Sequence, residues 1–509
     1  MEFLKNTDSR LKAVFFSVLF GMIVAHGMVL FGKFAIHDEL ISLFSLSFSL
    51  EVGRWGLAFL QFMIFVFFGS NYGFAVLSMP LISGLYICVF LSGSVYLIAK
   101  LLDIKSPGVC ALLGLVFVAY PVMAILFAYN FVASYDIFAF YLSILGAYWI
   151  CTASGKKTLL KGFCVVVFSI GVYQAFFSIT LAMILLYMMK EVYDRDDLSI
   201  AEFFSKGASR FGICVAAVVA YFAINWGCMR VSGTELSVYL NVDRLGREGW
   251  LYVKRIPVAY YALFNPVASF RLNTLFLYKA ILFISVFLQF SLLSSMPSKK
   301  VFQILLLFLL FPPAVNFLYI VSPSDSVYGA RIVDFSVWFG YLTVFVYLAF
   351  LSERSSVSGK RFLSVFGKTG YYCLAFMALM SCRIDNICYF QATFGQQRTI
   401  NYFTTLVTRI KSAKGYRDEY PVVYLNERDK RVEDVQEMKT LDPVIPPYWG
   451  TGMVINNYAW KDFVSYWCAF TPETGRKEDF EGLPEVRDMP RYPDEGAIRV
   501  INGTVVVKF

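Results

Sequence analysis

Two neighbouring acids, Asp38 and Glu39, follow His37 in the stretch FGKFAIHDELISLF (31–44), which separates two strongly apolar runs. A carboxylate at the edge of a water-poor region holds its proton more tightly than usual and can serve as a general base. The bland reading of the same residues is a solvated turn. HDEL is a retention address only at a C-terminus, so that meaning is excluded here. Asp136, in AYNFVASYDIF, opens another apolar run, where a helix N-terminus would favour an acid equally well. Tyr173 and Gln174 interrupt a third run, either as ligand contacts or as a buried hydrogen-bonding plug. Arg54 and Arg331 also sit at the mouths of apolar runs. A guanidinium there either snorkels to the headgroup level or binds phosphate oxygens through its planar fork.

Several chemistries are excluded. There is no P-loop, no G-x-S-x-G and no zincin motif. Ten cysteines form no C-x-x-C pair and there are two histidines, so neither a disulfide framework nor a zinc site is implied. No cofactor is called for, and nothing indicates a divalent cation. The segments read as outer loops lack a D-x-D pair. A nucleotide-sugar enzyme needs a cation for its diphosphate, whereas a lipid monophosphate leaving group can be managed by arginine.

The elements that must position these residues are set by composition. Of 509 residues, 58% are hydrophobic and 16% are charged, against about 25% charged in soluble domains. Runs of about 20 apolar residues recur, which marks a polytopic α-helical membrane protein. Eleven spans are expected, at roughly 13–32, 74–99, 108–128, 134–152, 160–172, 174–190, 209–228, 274–296, 301–321, 333–352 and 369–388. The first reads as a retained span rather than a signal peptide.

With the N-terminus in the cytoplasm, Lys100, Lys105, Lys156, Lys157, Lys161, Lys299, Lys300, Lys360 and Arg361 all stay inside, as the positive-inside rule asks. To keep that register, GRWGLAFLQFMIFVFFG (53–69) is laid on the outer surface as a juxtamembrane helix, and a break is placed at GVYQ (171–174). A first outer loop is expected over about 33–73 and a long one over about 229–273, the latter mixing Arg244, Arg247, Lys254 and Arg255 with Trp250 and Tyr252. From residue 389 onward there are 16 Lys/Arg against 17 Asp/Glu, so the net charge of +9 belongs to the preceding part and serves topology, not nucleic acid. That tail, 389–509, reads as a small α+β domain on the outer side, with a helix near 395–413, a strand at YPVVYL and a closing hairpin around Asn502-Gly503.

The order HG (26–27), HDEL (37–40), GRW (53–55), SYD (134–136), VYQA (172–175) and GARIVDF (329–335) resembles the bacterial O-antigen glucosyltransferases of the serotype-converting Gtr type II family. The resemblance implies a GT-C-like membrane domain over 1–388 and a periplasmic C-terminal domain over 389–509, in the inner membrane. It implies transfer of a sugar, commonly glucose, from undecaprenyl phosphate to O-antigen of lipopolysaccharide or a related surface glycan. GT-C enzymes resembling this one keep an essential acid in the first outer loop, which falls here on Asp38 or Glu39. On the reading of the residues themselves, His37, Arg54, Asp136, Tyr173, Gln174 and Arg331 are the expected substrate contacts. The alternatives are a transporter or flippase for a lipid-linked sugar, or an O-antigen polymerase or ligase.

Overall fold

A computed structural model describes residues 7–32, 40, 48–68, 79–236, 249–265, 272–321, 332–357, 360–427 and 459–509. The chain folds as two compact units: residues 1–33 with 45–386, and residues 34–44 with 387–509.

The first unit is a helical bundle. Among the described residues, eight helices are long and apolar enough to cross a membrane: Ser9–Phe31, Pro80–Leu101, Asn130–Thr152, Gln174–Asp194, Ile200–Ser232, Leu275–Leu293, Ser298–Val315 and Arg361–Lys411. The pair Pro107–Ala119 and Val122–Ala128, bent by 45° at Pro121, makes a ninth if it is one span. The other two expected spans are helices as well, Lys156–Val172 and Ile332–Val357, the first only 17 residues long. Every expected span thus falls on a helix, and eight or nine of them qualify by length and composition against the eleven expected.

Local chemistry explains most boundaries. Asp8, Ser106 and Ser199 cap their helices by accepting from Arg10 N, Val109 N and Glu202 N. Gly233, at φ +67°, ends the Ile200–Ser232 helix in the left-handed conformation that glycine tolerates best. The break expected at GVYQ is present. Tyr173 is extended and a 3-10 turn, Gln174–Phe176, follows before the chain re-enters an α-helix. Phe176 seats that turn in a buried three-ring cluster with Phe140 and Phe339, at centroid separations of 5.0–5.6 Å.

Both segments expected as outer loops carry a helix, and the one expected at 53–69 is present. The apolar stretch at 53–69 is a helix, Trp55–Phe68, of 14 residues. At 1.5 Å per residue it rises about 21 Å, short of a bilayer core of about 30 Å. The long loop at 229–273 also contains a 15-residue helix, Trp250–Phe264. It is docked through its backbone carbonyls: Tyr341 Oη donates to Ala262 O, Tyr278 Oη to Leu263 O and Asn316 Nδ2 to Ala259 O.

One end of the bundle is tied by ion pairs. Arg210 pairs with Glu191, Arg354 with Asp194, and Lys300 Nζ lies 2.6 Å from Asp196. The Glu353 carboxylate accepts from Lys105 N at 2.9 Å and adds a further polar tie at this rim.

The second unit is built on a three-stranded sheet of order β1 (Val422–Leu425), β3 (Thr504–Lys508), β2 (Ile498–Ile501), with β1 parallel and β2 antiparallel to β3. Asn502 and Gly503 have φ of 49° and 71°, both positive as a two-residue hairpin turn requires. Strand alternation sends Val422, Tyr424, Val505 and Val507 to one core with Phe403, Trp460 and Phe463, while Val423, Leu425 and Val506 face Phe480 and Met489. Leu40, 2% exposed, packs in the first of these cores.

Candidate functional site

The GRWG motif (53–56) begins at a turn that follows the short helix Phe48–Glu51. Gly53 N donates to Leu50 O and Arg54 N to Ser49 O. Gly53 has φ +75°, and a Cβ there would lie 2.7 Å from Tyr221 Oη, so both conformation and space demand glycine. Trp55 then lies against Gly171, whose added Cβ would come within 2.5 Å of the indole. Gly56 approaches the Gly171 backbone almost as closely. Two motifs far apart in the sequence are thus packed directly on each other, and that contact delivers Arg54 to Tyr173.

The guanidinium carbon of Arg54 is 4.4 Å from the Tyr173 ring centroid, within cation–π range. Asp136, 2% exposed on the Asn130–Thr152 helix, and Tyr221, 5% exposed, lie within electrostatic reach of this group. Among the described residues, Arg54 Nε, Asp136 Oδ1 and Asn225 Oδ1 are buried without a hydrogen-bond partner. Unspent donors and acceptors of this kind cost free energy unless a ligand or water satisfies them. The arrangement offers a planar cation and a carboxylate at the end of the bundle away from the ion-pair rim. Such a pair can hold a phosphate oxygen and a hydroxyl.

Four sequence candidates are therefore brought together: Arg54, Asp136, Tyr173 and Gln174. The Gln174 amide nitrogen donates to Val52 O at 2.9 Å and to Tyr221 Oη at 3.0 Å, so both its hydrogens are engaged with protein. His37, Asp38, Glu39 and Arg331 lie outside the described residues. Tyr221 and Asn225, one turn apart on the Ile200–Ser232 helix, are not among the sequence candidates. The signal available is two polar side chains at i and i+4 in a long apolar helix.

No group of three or more His, Cys, Asp or Glu residues able to hold a metal ion occurs among the described residues. A family model described as "Glucosyl transferase GtrII" matches residues 27–347. No curated protein and no solved structure matches the chain.

Proposed function

Because this chain belongs to the GtrII glucosyl transferase family, we propose that it moves a glucosyl group from undecaprenyl phosphate to O-antigen or a related surface glycan at the periplasmic face of a bacterial inner membrane. The observation that carries this reading is Arg54. Its guanidinium is stacked on Tyr173 and retains a buried, unpartnered N–H among the described residues.

The step is a single displacement. The acceptor hydroxyl oxygen attacks the anomeric carbon as the bond from that carbon to the lipid phosphate oxygen breaks, and the electron pair stays on phosphate. The hydroxyl proton passes to an acid of the first outer loop, Asp38 or Glu39. The anomeric centre inverts. Arg54 meets the charge that grows on phosphate, which is where a preorganised donor lowers the barrier rather than merely strengthening substrate binding. Arg331 is a second candidate for the same oxygens, and Asp136 would accept from a sugar hydroxyl.

Membership in a glucosyl transferase family favours transfer over transport. The test is transfer from purified polyprenyl-phosphate glucose in detergent, followed by mass spectrometry of the lipopolysaccharide glycan from cells with and without this chain. No added hexose on the glycan would overturn the proposal. A chelator arm separates the arginine from a cation: loss of turnover with chelator alone would assign the phosphate charge to a metal.

A further inference from the structure

Arg54 sits on a turn, and a turn is a poor platform for a charge that must meet phosphate at a fixed angle. Two side chains from different elements hold this one. Gln174, in the 3-10 turn, donates to Val52 O at 2.9 Å. Tyr221, from the Ile200–Ser232 helix, donates its hydroxyl hydrogen to Gly53 O at 2.8 Å and accepts from Gln174 Nε2 at 3.0 Å. The two carbonyls that precede Arg54 are thereby fixed by one continuous network.

Tyr173, the neighbour of Gln174, takes the other end of the arginine by stacking under its guanidinium. Backbone and head group are thus referred to the same two-residue step. Tyr221 is 5% exposed and its hydroxyl spends both donor and acceptor on this network, which a tyrosine needed only for packing would not require.

We infer that Tyr221 is a positioning residue for Arg54. Acting through the Gly53 carbonyl and Gln174, it fixes the angle at which the guanidinium meets the donor phosphate. The inference rests on the reading of Arg54 as the phosphate contact. Misplacing a reacting or charge-stabilising group by about 1 Å can cost on the order of 10²-fold, so a partial loosening of the turn should cost roughly tenfold.

The test is a double-mutant cycle on the full-length chain in detergent, with polyprenyl-phosphate glucose as the varied substrate. Tyr221→Phe keeps the ring and its packing and removes one hydroxyl. The expected result is a roughly tenfold fall in kcat/KM for the lipid donor, with the KM for the acceptor glycan unchanged. In an Arg54→Ala background the same change should cost less than about twofold, because nothing remains to be positioned. Gln174→Met, which cuts the same network from its other side, should reproduce both results. A Tyr221→Phe loss that persists in full in the Arg54→Ala background would make Tyr221 merely structural and overturn the inference. Parent-level activity of Tyr221→Phe, alongside an impaired Arg54→Ala, would overturn it while leaving the phosphate reading standing. Parent-level activity of Arg54→Ala would overturn both.

Discussion

Arg54→Ala is the substitution on which the proposed chemistry turns. In the parent, a buried Nε hydrogen has no partner among the described residues, and the head group is held 4.4 Å from the Tyr173 centroid. A hydrogen bond from a charged donor to phosphate contributes roughly 1.5–3 kcal/mol. If it is made fully only as negative charge develops, kcat falls by about ten- to hundredfold, since each ~1.36 kcal/mol is a factor of ten. Arg54→Lys retains the charge but loses the fork and the face-on contact with Tyr173, so activity should lie between parent and alanine variant. Tyr173→Phe keeps an aromatic face under the guanidinium and should be mild, whereas Tyr173→Leu removes it. The assay is single-turnover transfer from lipid-linked glucose, with folding checked by size-exclusion. An Arg54→Ala protein that is folded and as fast as the parent would refute the reasoning.

Asp38→Asn should abolish transfer with insertion intact and Glu39→Gln should be less damaging, since losing a general base costs about 10²–10⁴-fold; near-parent glycosylation with both acids neutralised would remove the first outer loop from the chemistry. Reporter fusions after residues 105, 158, 299 and 360 should read cytoplasmic and one at 450 periplasmic, and a periplasmic signal at 158 would mean that 53–69 spans. Leu40→Ala should lower the thermal stability of the C-terminal unit, because a buried Leu→Ala change costs about 2–5 kcal/mol and Leu40 is 2% exposed in that core; an unshifted proteolysis profile over 387–509 would contradict it.

Hydropathy makes most helices legible, because a bilayer demands long apolar runs whatever the fold. The break at Tyr173 is legible too, from the charge register of the flanking loops, and so is the hairpin at Asn502-Gly503. The Trp250–Phe264 helix is not. It carries Lys254, Arg255 and an internal Pro257, and its docking relies on backbone carbonyls, which leave no pattern in side-chain types. The helix Arg361–Lys411 reads in sequence as a span ending near 388 and a separate helix from 395. Its hydropathy does fall there, yet buried Ile384, Cys388, Gln391, Ala392, Thr399, Phe403, Leu406 and Ile410 keep the helical period without interruption. Of the site, GRW and VYQ are legible as motifs. That they touch is not, because the contact depends on Gly56 and Gly171 lacking side chains, at positions remote in the chain. Tyr221 is hidden for a related reason: one phenol in an apolar helix looks like packing until its hydroxyl partners are known.

The two ends of the bundle differ in a way that bears on the donor. The end tied by Glu191–Arg210, Asp194–Arg354 and Asp196–Lys300 gathers the basic residues that the positive-inside rule assigns to the cytoplasm. Arg54, Tyr173 and Asp136 lie at the other end. With that end on the periplasmic face, as proposed, no nucleotide sugar is at hand and the activated glucose has to arrive attached to something that crosses the bilayer. A polyprenyl phosphate meets that demand, and it presents a single phosphate at the membrane surface rather than a diphosphate in solution. In that proposal the Arg54 guanidinium, stacked on Tyr173, meets the charge of a phosphomonoester-like leaving group.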